Sequence, residues 1–501
     1  MNWFLVRLIC NVFNSNTNSL SQLNSGSDFR NLKENIMKTR LKYLLTLACG
    51  LIMIPAALAQ RTIPDDDNQL LYEIYKELVE YKTTASEQNN TIAVEGMAAW
   101  LQAAGFPAED IFIGGALPHK GNLVARIHGT GDKEPIILMA HIDVVEAERE
   151  DWNLDPFVLN EDDEFYYGRG TLDDKAMAAI FTANLIRFRQ QGFVPNRDIV
   201  IALTSDEETG GSNGIYWLLD NQPGLIRGAL AINEGGYGLL QDGQPLANTI
   251  QIAEKIFASY QVTARNPGGH SSLPRGDNAI YDLAEALLKI RDFKFPVELN
   301  DVMRVSFQRQ AEINTGQRAA DFRALLEDPI PADSLDRLSS SAAVNAQLRT
   351  TAVATLLDGG HASNALPQTA VATVNVRMMP GSDPQDVLRT LTEVVDNPEL
   401  EVAYRGGGRL SDPSPLTEEI MGAVEGVTEE MWPGITVMPT MSTGATDGAK
   451  MRNAGIPTYG VSGLFVDRND MRIHGQDERL RKASLYGGYE FLYKLARQLS
   501  E

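Results

Sequence analysis

The stretch Ile136-Ile137-Leu138-Met139-Ala140-His141-Ile142-Asp143 starts as an unbroken apolar run and stops in an imidazole and a carboxylate. A run of this kind without alternation predicts a strand buried on both faces of a mainly parallel sheet. The same pattern recurs downstream at Asp198–Leu203 and, shorter, at Ala229–Ile232. Between the first two runs, Met177, Phe181, Leu185 and Phe188 form an apolar stripe that predicts a helix from about Asp174 to Gln190, stopped by Gly192. Strand, helix, strand gives an α/β layer architecture: a mainly parallel sheet flanked by helices. Each apolar run ends in polar chemistry, at His141 and Asp143, at Glu207 and Glu208, and at Asn233 and Glu234. Ligands of open α/β sheets gather outside the carboxyl ends of the strands, so these strand tips are expected to share one site.

Outside this block, Asp65-Asp66-Asp67-Asn68 can cap a helix carrying Leu70, Leu71, Ile74, Leu78 and Val79. A second helix is expected over Ile92–Ala104, ended by Gly105. The character changes near residue 256. A strand at Tyr260–Ala264, a loop at Asn266–Ser272, an amphipathic helix at Asn278–Arg291, a polar helical stretch at Asp301–Asn345, a strand at Val371–Val376 and a helix at Asp383–Val395 read as an inserted α+β domain. Helix and strand alternate again from Ser414, through Ile456–Val461, to a last helix near Ala483–Leu499. The expected organisation is one layered domain in two pieces, 60–255 and 406–501, interrupted by an insertion at 256–405.

The chain of 501 residues is long enough to bury a sizeable core. Its formal net charge of −22 argues against nucleic acid and against anionic lipid, both of which call for a basic surface. Both cysteines, Cys10 and Cys49, precede residue 60, so the main body has no disulfide framework, no thiolate nucleophile and no cysteine metal site. Lys38, Arg40 and Lys42, the apolar core Tyr43–Ala56 and the small-x-small triplet Ala57-Leu58-Ala59 read as a signal peptide over 37–59. Residues 1–36 fit poorly ahead of such a leader and suggest a start at Met37. The expected location is exported, periplasmic or secreted, with no membrane attachment once the leader is cut.

The chemistry lies in a few short motifs. His141 and Asp143 sit two apart at a strand end and point to one side; the imidazole can ligate a metal or simply cap the sheet. Asp173 follows Gly168-Arg169-Gly170, and an acid at a helix start is commonplace. Glu207 and Glu208 are adjacent carboxylates that a cation would stabilise, though a solvated acidic turn has the same composition. His474 lies in a charged loop, an odd place for a core histidine. Taken together they offer two imidazoles and several carboxylates, a ligand set suited to a pair of zinc ions.

In order and spacing, the segments MAHIDVV, YGRGTLDDKA, TSDEETGGS, INEGG, GGHSSLP, SNALPQ, STGATDG and IHGQDERL resemble the co-catalytic zinc hydrolases. That group includes aminoacylase, carboxypeptidase S, glutamate carboxypeptidase G and succinyl-diaminopimelate desuccinylase, and the likeness is strongest to the carboxypeptidase S branch. The resemblance implies a zinc-exopeptidase-like catalytic domain in which the insertion serves as lid and dimerisation domain. It implies that His141 binds one zinc and His474 the other, that Asp173 bridges both and precedes a cis peptide, and that Glu208 is a terminal ligand. Glu207 would be the general base and Asp143 the partner of His141. His270, on the lid, would stabilise the oxyanion and reach a neighbouring subunit, which implies a homodimer. Asn364 and Arg377 would hold the substrate carboxylate. The branch carries Asp-Glu-Gly at its last metal motif where this chain has Asn233-Glu234-Gly235, so that ligand falls to Asn233 or Glu234. The implied activity is cleavage of an amide in a short peptide or N-acyl amino acid with a free carboxylate. The rivals are an aminopeptidase of a related zinc fold, against which the lid segments speak, and a non-catalytic dimeric relative, against which Glu207 speaks.

Overall fold

The computed structural model describes residues 61–501. The expected leader, the residues ahead of it and both cysteines lie outside the described residues. Among the described residues, no helix is long and apolar enough to cross a membrane.

The spine is a ten-stranded sheet in the order β1 (Ile111–Gly114), β2 (Asn122–Ile127), β6 (Ile199–Thr204), β3 (Ile136–His141), β7 (Leu230–Asn233), β17 (Thr458–Gly460), β9 (Gln244–Glu254), β8 (Gly238–Gln241) and β18 (Phe465–Asp467), with β16 (Thr436–Ser442) also on β9. The four central strands β6, β3, β7 and β17 run parallel. The sheet is mainly parallel, as expected, with β16 and β18 also pairing parallel, while β1, β2 and the β8–β9 hairpin add antiparallel pairings toward its margins. That hairpin turns on Asp242-Gly243, both with positive φ (53° and 74°), the conformation a two-residue type I′ turn requires.

The central strands are buried on both faces, as their unbroken apolar runs predict. Ile136, Leu138 and Ala140 pack into the larger core cluster, with the helices Asp67–Glu80, Asn90–Ala103, Lys175–Gln190, Glu418–Met431 and Lys482–Leu499. Ile137 and Met139 face the other way, into a smaller cluster with the helix Gly214–Asn221.

The insertion holds an antiparallel sheet in the order β12 (Thr351–Gly359), β14 (Thr369–Met378), β10 (Ile256–Arg265) and β15 (Leu400–Gly407). Strict alternation in β14 buries one face against the helices Ala279–Asp292 and Pro384–Val395. The polar stretch after residue 300 forms the four helices Asp301–Ile313, Gly316–Ala324, Ala332–Ser339 and Ala342–Leu348. Their core is separate from that of the insertion's own sheet and includes Ala253 and Met441 of the ten-stranded sheet. Two short pairings complete the fold: β11 (Gly269–His270) with β13 (Ala365–Leu366), and β5 (Phe165–Tyr167) with β4 (Asn160–Glu161) and β19 (Arg479–Arg481).

Candidate metal centre

The tips of three parallel strands and two loops meet at one buried acidic pocket. His141 is the last residue of β3; its Nδ1–H donates to the backbone carbonyl of Asp143 at 3.0 Å, which leaves Nε2 facing the pocket. Nε2 lies 3.0 Å from Asp173 Oδ1 and 3.7 Å from Glu234 Oε2. Across the pocket, His474 Nε2 lies 3.1 Å from Asp173 Oδ2 and 2.9 Å from Glu208 Oε1. The result is two triads, His141–Asp173–Glu234 and Asp173–Glu208–His474. The ligand atoms within each lie within 4.8 Å of one another, and Asp173 is common to both.

Local structure explains each placement. Glu234 follows β7, whose register against β17 sets Asn233 beside Gly460. A Cβ on Gly460 would come within 2.3 Å of the Glu234 carbonyl oxygen, so the close approach of the two strand ends needs glycine there. The Asn233 amide donates to Thr446 Oγ1 at 3.2 Å, while the Glu234 carboxylate is the group that approaches His141. Asp173 ends the Gly168–Leu172 loop and precedes a cis peptide to Asp174, as the resemblance implied.

Glu207 and Glu208 sit on a turn held from two sides. The Asp143 carboxylate accepts the backbone N–H of both at 3.1 Å. The same carboxylate stays beside His141, its nearest oxygen 3.8 Å from Nδ1, while the Asp143 backbone carbonyl takes the Nδ1–H. Behind the turn, Asp206 adopts a left-handed φ of 65° and its carboxylate accepts from Lys120, Thr209 and the Ser212 N–H.

The pocket carries more negative charge than its own cations balance. Burial, then the neighbouring Glu234 and Asp447, push Glu207 well above the ordinary carboxylate range. Burial lifts Glu234 to about 7 although His141 opposes it. Burial and the neighbouring Glu234 also raise Asp174. Burial would raise Asp173 too, but the imidazoles of His141 and His474 hold it well below its ordinary value. His474 is lifted in turn to about 10 by Asp173 and Glu208. A crowd of buried carboxylates that interact chiefly with two imidazoles is the electrostatics of a cation site.

The three residues expected from the insertion make contacts with residues of the insertion itself. His270 is exposed, and its Nδ1 accepts from Ser272 N–H at 3.1 Å and Ser272 Oγ at 2.7 Å. Asn364 is joined to the same ribbon, its carbonyl accepting from Ser271 N–H at 3.0 Å. Arg377 lies on β14 with its guanidinium 5.5 Å from the Phe257 ring centre, and burial lowers its pKa.

Three residues near the triads were missed by sequence reasoning. Asp447 accepts from Asn213 and Lys450, both at 2.7 Å, and together with Lys450 acts electrostatically on Glu207. Glu478 is fully buried against the Asp173 loop. The place of Asp447 inside STGATDG and of Glu478 inside IHGQDERL was their one signal, and Lys450 lies outside both motifs.

With this geometry in view, the profile of Peptidase family M20/M25/M40 matches residues 137–498, which include every residue of both triads. The chain belongs to this family. It is 28% identical over 443 residues to the N-fatty-acyl-amino acid synthase/hydrolase PM20D1 of Xenopus tropicalis, covering 84% of each chain. It is 28% identical over 379 residues to the probable carboxypeptidase S-like 2 of Dictyostelium discoideum, covering 73% of this chain and 71% of the relative. In fold it is similar to the M20 metallo-carboxypeptidase Sso-CP2 of Sulfolobus solfataricus, with a TM-score of 0.64 at 16% identity, covering 87% of this chain and all of the other. As a member of this family the chain is a metal-dependent hydrolase of amide bonds in peptides or N-acyl amino acids, as the motifs implied.

Proposed function

We propose that the two triads hold a pair of zinc ions and that the chain hydrolyses N-acyl amino acids or short peptides bearing a free carboxylate. One observation carries the reading: the two oxygens of Asp173 face two different imidazoles, each with a further carboxylate of its own. Nitrogen and oxygen donors in this number suit zinc, and Glu234 fills the place left open beside His141. A zinc pair bound there supplies Lewis acidity and lowers the pKa of a water toward neutrality.

The remaining steps belong to the protein. Burial and neighbouring carboxylates make Glu207 a stronger base than a surface glutamate, so it takes the proton from the attacking water. It then returns that proton to the leaving amine. Asp143 holds the turn so that Glu207 and Glu208 keep fixed places beside the site. Arg377 and Asn364 anchor the substrate carboxylate, for which a guanidinium fork is suited. His270 stabilises the oxyanion, and its exposure on a two-residue ribbon suits a role at the site of a second copy.

A homodimer joined through the insertion fits this reading. The edge strand β12 exposes Val353, Leu356 and Leu357, and the adjacent helix exposes Tyr281. The leader at 37–59 supports export to the periplasm or the medium, where the cysteine-free body suits an oxidising compartment. The N-acyl amino acid reading is favoured by the similarity to the N-fatty-acyl-amino acid synthase/hydrolase, which extends over 84% of the chain. Zinc-loaded protein from residue 60 onward, assayed on a panel of N-acyl amino acids and dipeptides, tests it. Turnover of N-acyl amino acids is expected; turnover only of peptides with a free amine and a blocked carboxylate would contradict it.

A further inference from the structure

Glu478 is fully buried, and its carboxylate accepts from donors that all belong to the loop ending in Asp173. These are Arg169 Nη1 at 2.6 Å, Gly170 N–H at 3.2 Å, Leu172 N–H at 2.9 Å and Asp173 N–H at 3.1 Å. The segment that supplies Glu478 also supplies His474. Three further ties join the two loops: the Gly168 N–H donates to the Glu478 carbonyl at 3.0 Å, Arg169 Nη2 donates to the Gly475 carbonyl at 3.3 Å, and β19 pairs with β5. Packing alone does not call for a carboxylate here. A buried ion pair is costly to desolvate, and apolar residues of similar volume often do as well or better. What an apolar side chain cannot do is fix the backbone of Leu172 and Asp173 to the chain that carries His474.

We infer that Glu478 is a positioning residue: it locks the Asp173 loop to the His474 loop and so gives the Asp173–Glu208–His474 site its binding geometry. The two sites do not depend on this clamp equally. His141 and Glu234 project from the ends of β3 and β7, where the sheet holds them. His474 sits on a loop, half exposed, with a left-handed φ of 61°. Asp173 serves both sites, but the His141 site keeps two ligands anchored at strand ends, so loosening the clamp should weaken the His474 site far more than the His141 site.

The inference rests on the two-zinc reading above, and the test separates the two. Wild type, Glu478→Gln and the double variant Arg169→Met with Glu478→Gln are titrated with zinc against a competing chelator. Thermal unfolding of the metal-free forms checks that each is folded. Glutamine can still accept from the Leu172 and Asp173 N–H groups, but its own NH₂ faces the donors of Arg169 and Gly170. The double variant removes the stranded arginine charge and keeps the test usable if the single variant is unstable. Two zinc ions are expected on wild type. Both variants should keep one tight zinc and bind the second about 10–100-fold more weakly, the usual effect of removing a group that orients a ligand. Two zinc ions on wild type and two of unchanged affinity on the folded double variant overturn the clamp alone, as does equal weakening at both sites. Fewer than two zinc ions on wild type overturns the two-zinc reading and the clamp with it.

Discussion

At the residue scale, Glu207 and the two imidazoles make sharp predictions. Replacing Glu207 with Gln removes the base and leaves both triads intact, since it belongs to neither. Turnover should fall by about 10²–10⁴ while zinc content is unchanged, which steady-state kinetics with metal analysis checks; near-wild-type turnover would reject the assignment. His474 is lifted to about 10 and His141 well above its ordinary value in the metal-free site. His474, lifted to about 10, is protonated at pH 7, and metal ligation requires the neutral ring, so binding must expel its proton and affinity must rise with pH across the neutral range. Calorimetry of zinc binding at pH 7, in buffers of different ionisation enthalpy, should report net proton release of about one or more per chain; no release would mean the His474 ring is neutral beforehand. His141, Asp173, Glu208 and Glu234 were legible in the sequence because each follows an apolar run or a glycine loop, and His474 because a histidine stood out in a charged loop. Glu478 was not. A glutamate in a charged loop reads as solvated, and its burial depends on Arg169, 309 positions earlier.

At the element scale, the readable parts were those whose pattern is set by their own burial. β3 and β6 read correctly because both faces are covered, which leaves no polar residue in either run before its last position. Truncating Ile201, fully buried in β6, to Ala should cost about 2–5 kcal/mol. Chemical denaturation reads this directly; a change below about 0.5 kcal/mol, typical of surface sites, would mean the strand is not core. β9 escaped notice for the opposite reason: its interior carries the buried polar side chains Asn248, Thr249 and Gln251, and Asn248 and Thr249 bond to Thr428 and Tyr237, outside the strand. The Asp242-Gly243 turn was a usable hairpin signal. The insertion's alternating strand at Val371–Val376 was legible. The separation of the helices after residue 300 into their own core was not, because those helices complete a hydrophobic cluster with residues from the other sheet.

At the scale of the whole molecule, the insertion's exposed apolar edge and the shared-carboxylate pocket are the two features that reach beyond one chain or one element. Leu356 and Leu357, 67% and 71% exposed on the edge strand, would be covered in a dimer. Sedimentation should find wild type at twice the chain mass and Leu356→Lys shifted toward the monomer; a monomeric wild type would remove the dimer. The central claim is that one acidic pocket at the strand tips holds two metal ions that share Asp173. The most direct measurement is a crystal structure of the zinc-loaded protein with anomalous scattering recorded at the zinc edge. Two peaks are expected, one among His141, Asp173 and Glu234 and the other among Asp173, Glu208 and His474. A single peak, or peaks that do not share Asp173, would contradict it.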